Sequence, residues 1–347
     1  MKKILIPCIV LLATLLTPSK CLYASSSEAG AVFLIIYPGA RPNGMGAVFT
    51  GISNDAIATY YNDAGMAFQT KSDISLMHAN WLPGLFPGMY YEFFSLVHPL
   101  KNGVLGGNII YLTTGNTEGT DDLGNKIGEW TTWDASVKIS YATKLSKNLG
   151  VGIGAKIIYS FLAPVDVIRQ LYGRSIRYGG SGNSWAFDAS TFYSINAKTK
   201  AGLSVQNIGP GITYIEAGLA DPLPWTLRLG ISREIFSNKD GNSLLLAGEL
   251  TKILVGLKSE LDSIQKDSKG GFTYLYQDTW KGLGAEYTLG GTFTLRMGYF
   301  ADAIGKRKGY TFGGGIKFKK LRFDLGIDSK LYEFLTDNYR MSLHFTY

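Results

Sequence analysis

The sequence predicts an all-β fold, a 14-stranded antiparallel transmembrane β-barrel. Three observations predict it. From about residue 71 onward, segments of roughly ten residues alternate apolar and polar side chains with period two. The connections between those segments alternate short and long with constant parity. The composition is rich in Gly (43) and Tyr (21), and only 18% of residues are charged. Beyond the first 24 residues no apolar run approaches the roughly 18 residues of a membrane-spanning helix. Composition alone also fits a soluble sandwich or propeller. A sandwich has no reason to keep the loop parity, and no propeller repeat of about 40–50 residues is found. The net charge of +7 fits basic residues beside anionic lipid headgroups. An exported chain has no nucleic-acid partner.

The chain begins with the pattern of a secretory signal peptide, residues 1–24. Lys2 and Lys3 are its positive start, residues 4–16 its apolar run, and Ala24 a small residue before three serines. The apolar run is too short for an anchor and is broken by Pro7 and Pro18. Leu22 leaves the cut position open by a few residues. Lys20 before Cys21 is wrong for lipoprotein cleavage. Cys8 and Cys21 both fall in this signal, so the mature chain has no disulfide and no thiolate site.

Residues 25–70 form the next unit, organised around 33–67. Its first half is too glycine-rich for a helix. Gly39, Gly44, Gly46 and Gly51 each permit backbone angles closed to other residues. Pro38 and Pro42 force extended or turned backbone. Residues 55–61 suit one or two helical turns, with Ser53, Asn54 or Asp55 as N-cap. Tyr60, Tyr61, Asn62, Asp63, Ala64 and Gly65 close with turn chemistry. On composition this is an ordered loop ahead of a β-domain.

Residues 71–347 carry the strands, placed near 72–79, 88–98, 104–113, 130–143, 149–162, 183–196, 200–207, 224–236, 242–253, 280–288, 291–300, 309–318, 321–329 and 338–347. Fourteen is even, as single-chain bacterial barrels require. The last strand is clearest: Tyr339, Met341, Leu343 and Phe345 alternate with Arg340, Ser342 and His344. Short connections at 98–103, 144–149, 197–200, 238–242, 289–291 and 319–320 alternate with long ones, among them 80–87, 114–129, 163–182, 207–223 and 253–280. The polar faces carry Asp134, Lys138, Lys156, Asp188, Arg228, Glu249, Glu286, Arg296, Lys317, Arg322 and Asp324. In a barrel these point into the lumen, where opposite signs pair. Trp133, Tyr141, Tyr159, Trp225 and Tyr299 suit an interfacial aromatic girdle.

Family resemblance sharpens this reading. Phe33, Leu34, Ile36, Pro38, Ala40, Arg41, Gly44, Met45, Gly46, Asp55, Ala56, Ala58, Tyr60, Tyr61, Asn62, Ala64, Gly65 and Ala67 stand in an order that resembles the N-terminal signature of the PorV/PorQ family. Those proteins are outer-membrane barrels related to the long-chain fatty-acid transporters. Asp63 departs from the proline usual there; the turn survives but loses rigidity. Asn207, Ile208, Gly209, Leu223, Pro224 and residues 227–230 resemble a second family stretch, and Trp81-Leu82 a pair after its first strand. The resemblance covers the first third well and the middle moderately. It implies that the N-terminal segment is a plug, or hatch, inside the barrel. It also implies a component of type IX secretion that binds cargo C-terminal signal domains and passes them from translocon to surface attachment complex. The alternative is uptake of hydrophobic small molecules.

No constellation of an enzyme is present, nor a cofactor or metal motif. His78, His98 and His344 lie far apart on strands, and no metalloprotease, nucleophile-elbow or phosphate-loop pattern occurs. Asp121 and Asp122, with Asn116, Glu118 and Asn125, form an acidic loop without the order of a calcium hand. Arg169, Arg174 and Arg177 are a basic loop patch suited to lipopolysaccharide. Partner binding is expected on exposed apolar anchors in long loops: Trp81, Leu82 and Phe86 in the first, and Ile212, Tyr214 and Ile215 in another.

Overall fold

A computed structural model describes residues 29–84, 88–172, 178–215, 220–255, 268–328 and 338–347. The predicted signal peptide lies outside the described residues. The strands are β1 (Asp73–Asn80), β2 (Tyr90–Leu100), β3 (Gly103–Thr120), β4 (Lys126–Lys144), β5 (Leu149–Phe161), β6 (Ser181–Ser194), β7 (Thr199–Ile208), β8 (Ile212–Thr213), β9 (Ala220–Asp221), β10 (Thr226–Ser237), β11 (Ser243–Ile253), β12 (Trp280–Leu289), β13 (Phe293–Asp302), β14 (Arg307–Phe318), β15 (Leu321–Asp328) and β16 (Asn338–Thr346). β8 and β9 pair only with each other. The other fourteen make a closed antiparallel barrel. Each pairs with its chain neighbours, β7 with β10, and β1 with β16 closes the ring.

Period-two alternation sets the two faces of this wall. On β16, Tyr339, Met341, Leu343 and Phe345 are exposed, while Asn338, Arg340, Ser342 and His344 are buried. On β10, Leu229 and Ile231 face out; Arg228 and Ser232 face in. Leucines, isoleucines and aromatics thus cover the outside and the polar residues line the inside. In water this would be inverted, because exposing a continuous apolar belt forfeits the hydrophobic stabilisation of burial. Closure also leaves no unpaired strand edge.

The structure changes several details. β3 and β4 run on to Thr120 and from Lys126, paired up to Thr120↔Lys126 with bulges at Thr113/Gly115 and Gly119/Thr120. The acidic stretch is therefore the tip of a long hairpin, where Asp121 Oδ1 accepts from the amides of Leu123 and Asn125. β13 and β14 likewise extend and shorten the 301–308 connection to a turn at 303–306. Two long connections carry helices, Val165–Tyr172 and Ser268–Asp278. Trp225 is not on the outer girdle but packs against the interior cluster. Tyr141, Tyr159 and Tyr299 are exposed on the outer face, and Trp133 stacks between Tyr111 and Tyr159. No helix among the described residues is long and apolar enough to cross a membrane.

The N-terminal segment lies within the ring of strands. It is built from short pieces: a 3-10 turn Val32–Ile35, helical turns Ala40–Asn43 and Ala58–Tyr61, and a 3-10 stretch Asp63–Phe68. Phe33, Met45, Val48, Phe49, Ile57, Tyr61 and Met66 are each at most 0% exposed. None of the three expected side chains caps the helical turn, whose N-cap is Ile57. Asp55 Oδ1 instead accepts from the amide of Ile57 just before it.

Candidate functional site: the filled lumen

The inner segment meets the wall through glycines on both sides. On the wall, Gly202, Gly230, Gly282, Gly284, Gly298 and Gly326 turn inward. A Cβ on any of them would overlap the main chain of Thr50, Gly51, Gly46, Met45, Gly46 and Ala40 respectively. On the segment, Gly39 and Gly46 have φ of 95° and 72°, angles that side chains disfavour. Gly44 does not: its φ is −63°. Glycine is needed there because a Cβ would come within 2.9 Å of Gly313 Cα. Gly51 is the same case, with Ile231 N at 2.7 Å. A Cβ on Gly65 would overlap Ser53.

Charge fixes what the glycines bring close. Arg41 forks onto Glu286 of β12, with contacts of 2.7 and 2.8 Å, and reaches Asp55 at 3.0 Å. Glu286 is also held by Arg296, which reaches Asp324; Asp324 is held by Arg322, which returns to Asp55 at 2.8 Å. Lys138 bridges Asp63 at 2.8 Å and Asp188 at 2.5 Å, and Lys156 adds a third contact at 3.0 Å. Glu249 accepts from the amides of Phe49 and Thr50 and from Arg228. Arg228 lies over the rings of Tyr60 and Tyr61 at 5.4 and 5.3 Å. Isolated buried charges would be prohibitive; mutual pairing makes the lumen tolerable. On the segment itself, burial pushes the Asp55 carboxyl up, but Arg322, His344 and Arg41 outweigh it and hold it well below the usual range. Burial also pushes the Tyr60 phenol up to about 12.

The remaining signature residues tie the segment to itself and to the wall. Tyr60 Oη donates to the carbonyl of Leu34 and Tyr61 Oη to that of Pro38. Asn62 Oδ1 accepts from Ala64 N, and its amide donates to the carbonyls of Thr50 and Thr191. Asp63, where the family favours proline, is the partner of Lys138. The wall glycines were missed in sequence, although a glycine inside a strand pattern marks close backbone approach.

The histidines also separate. His78 pairs with Glu92 on the outer face and His98 with Ser72. Barrel closure carries His344 next to Asp73 and Asp55, with ligand-type atoms within 4.8 Å of one another. Two guanidiniums already occupy Asp55, so the cluster works as an ion-pair network rather than a cation site.

The expected apolar anchors are placed differently. Trp81 is only 8% exposed; it packs on Tyr91 and beneath Arg340. Leu82 is half-buried, and its amide donates to Asn338 Oδ1. Ile212 is fully buried, Tyr214 packs against the same interior cluster, and Ile215 lies against Ala163 and Ile168. Apolar bulk near water buries itself in the nearest cluster, here the end of the lumen and the base of the loops. Phe86, Arg174 and Arg177 lie outside the described residues; Arg169 pairs with Asp166 at 3.0 Å. The large apolar side chains that do stand in solvent at the long-loop end include Leu123 at 87%, Tyr178 at 82% and Tyr276 at 68%. Leu123 and Tyr178 stand in glycine-rich and polar loop sequence and gave no sequence signal, and Tyr276 lies in an apolar stretch carried by the helix Ser268–Asp278.

These features define a class: a single-chain fourteen-strand barrel whose lumen is occupied by its own N-terminal segment. The same fold occurs in solved structures. The TodX monoaromatic hydrocarbon channel deltaS2 mutant superposes with a TM-score of 0.57 at 12% identity, covering 89% of this chain and 97% of that one. The Pseudomonas putida toluene transporter TodX gives 0.53 at 12% identity, with the same 89% and 97% coverage. No curated protein sequence matches. The family model described as Type IX secretion system protein PorV matches residues 25–260, and the chain belongs to that family.

Proposed function

We propose that the chain is an outer-membrane component of type IX protein secretion, exported by a cleaved signal at 1–24 and sealed by a hatch at 25–70. In this reading the apolar outer face of 71–347 contacts lipid and the loop ends meet lipopolysaccharide. The long-loop end binds cargo C-terminal signal domains and passes them from translocon to surface attachment complex. Contact falls to exposed residues such as Leu123, Tyr178 and Tyr276, while Trp81, Leu82, Ile212, Tyr214 and Ile215 support the rim from beneath. The observation that carries this is family membership across 25–260. The interior supports it further. Moving the hatch for a solute would break several buried ion pairs, at roughly 3–5 kcal/mol for each partner left behind. A fixed hatch suits a binding platform.

The test is affinity purification of the full chain from gently solubilised membranes. Translocon and cargo should co-purify, and Leu123→Ser with Tyr178→Ser should reduce their recovery. Recovery of lipid alone, with slowed uptake of a hydrophobic solute in the same variant, overturns the reading in favour of transport.

A further inference from the structure

Cations at the two depths of the barrel are met differently. In the lumen Lys138, Arg228, Arg296 and Arg340 each reach a carboxylate. At the short-turn end, Lys200 and Lys317 sit on the inward face of the wall, two residues along from Gly202 and Gly315, while Lys71 stands where the inner segment enters β1. Among the described residues none of these three has an ion-pair partner. They surround a 370 Å³ pocket that also includes Arg322, Ile52, Phe68 and Phe192. The carboxylates in its lining are already engaged. Asp55 is held by Arg41 and Arg322, and Asp73 accepts from the amide of Ala56 and the hydroxyl of Thr346. Lys144 adds a further cation, 5.0 Å from the ring of Phe68.

We infer that this mouth is a binding site for an acidic peptide segment of a partner on the short-turn side. Unmatched like charges around a concave pocket focus a positive field and draw in an anion. Lys200 and Lys317 are carried on the lumen-facing side of their strands, so the site opens along the barrel axis rather than toward surrounding lipid. Ile52, Phe68 and Phe192 line the same pocket as the cations, which suits carboxylates interspersed with an apolar side chain better than a bare phosphate. The site is at the opposite end from the proposed cargo-binding loops and is independent of that reading.

The test uses the purified full chain in detergent and a labelled short glutamate–leucine peptide, followed by fluorescence anisotropy. The peptide should bind, its glutamine–leucine counterpart should not, and affinity should fall with rising salt. Lys200→Glu with Lys317→Glu should weaken binding at least about tenfold, whereas reversal of the turn lysines Lys147 and Lys239 should change it less than about twofold. Lys200→Gln with Lys317→Gln, which adds no repulsion, should give a smaller loss in the same direction. Heat-modifiable gel mobility checks that each variant is folded. Absence of peptide binding, or equal loss in both lysine pairs, overturns the proposal. So does competition by inorganic phosphate at concentrations equal to the peptide, which would mark a simple anion site. Displacement of the peptide by nanodiscs of anionic phospholipid would mark a headgroup site and equally overturns it.

Discussion

Gly298 offers a direct test of how the wall receives the inner segment. An alanine there would drive its Cβ into the backbone of Met45 and Gly46. Neither neighbour is a flexible side-chain tip, so the wall or the segment must move. Overpacking of this kind costs about 1–3 kcal/mol. If the strain falls on the weaker partner, the segment, its transient opening rises about 5- to 150-fold. The barrel ladder should hold, because β13 keeps its pairing to β12 and β14. Gly314→Ala is the matched control. It lies on the outer parity of β14, where a Cβ meets only Thr294 O at 3.9 Å. The assay is limited chymotrypsin digestion of folded, heat-modifiable protein, since Phe49, Tyr60 and Tyr61 are cleavable only when the segment leaves the lumen. Gly298→Ala should be cut faster and Gly314→Ala at the native rate. Equal rates in the two variants would refute close packing of the segment against this face.

Other predictions follow the same logic. Arg41→Gln should free the segment by about 3 kcal/mol, the low end for a broken buried pair, because Arg296 and Arg322 still serve Glu286 and Asp55; digestion reads this too. Gly46→Val should exceed Gly44→Val in effect, since the first meets both positive φ and overlap and the second overlap alone; equal cleavage rates would contradict that ranking. Trp81→Ala should lower the unfolding temperature of the barrel rather than selectively weaken cargo capture, as a cavity beneath Arg340 costs several kcal/mol; unchanged melting with lost pull-down would reverse this assignment. The depressed Asp55 carboxyl gives the segment a pH limit. Its contribution is complete above the unfolded value near pH 4 and is lost as pH falls through the lower folded value. Protease resistance should therefore be flat from about pH 7 to 5 and decline only below about pH 4.

The sequence by itself determined the wall. Period-two alternation is a local property, so Tyr339 to Phe345 and their polar neighbours announce their faces without any partner. Loop parity follows from chain order in an up-and-down barrel, so the strand count and nearly all strand positions were legible. The charged residues of the inner faces were legible for the same reason. Their pairings were not, because Arg41 and Glu286, or Asp55 and Arg322, are joined only when the segment folds back inside the closed ring. The wall glycines stood in plain view as composition, yet each is explained only by the backbone lying across it. Trp81 and Ile212 show the converse limit. Their loop positions suggested exposure, and tertiary packing buried them, because an apolar side chain beside a partly filled lumen has a better place to go than water.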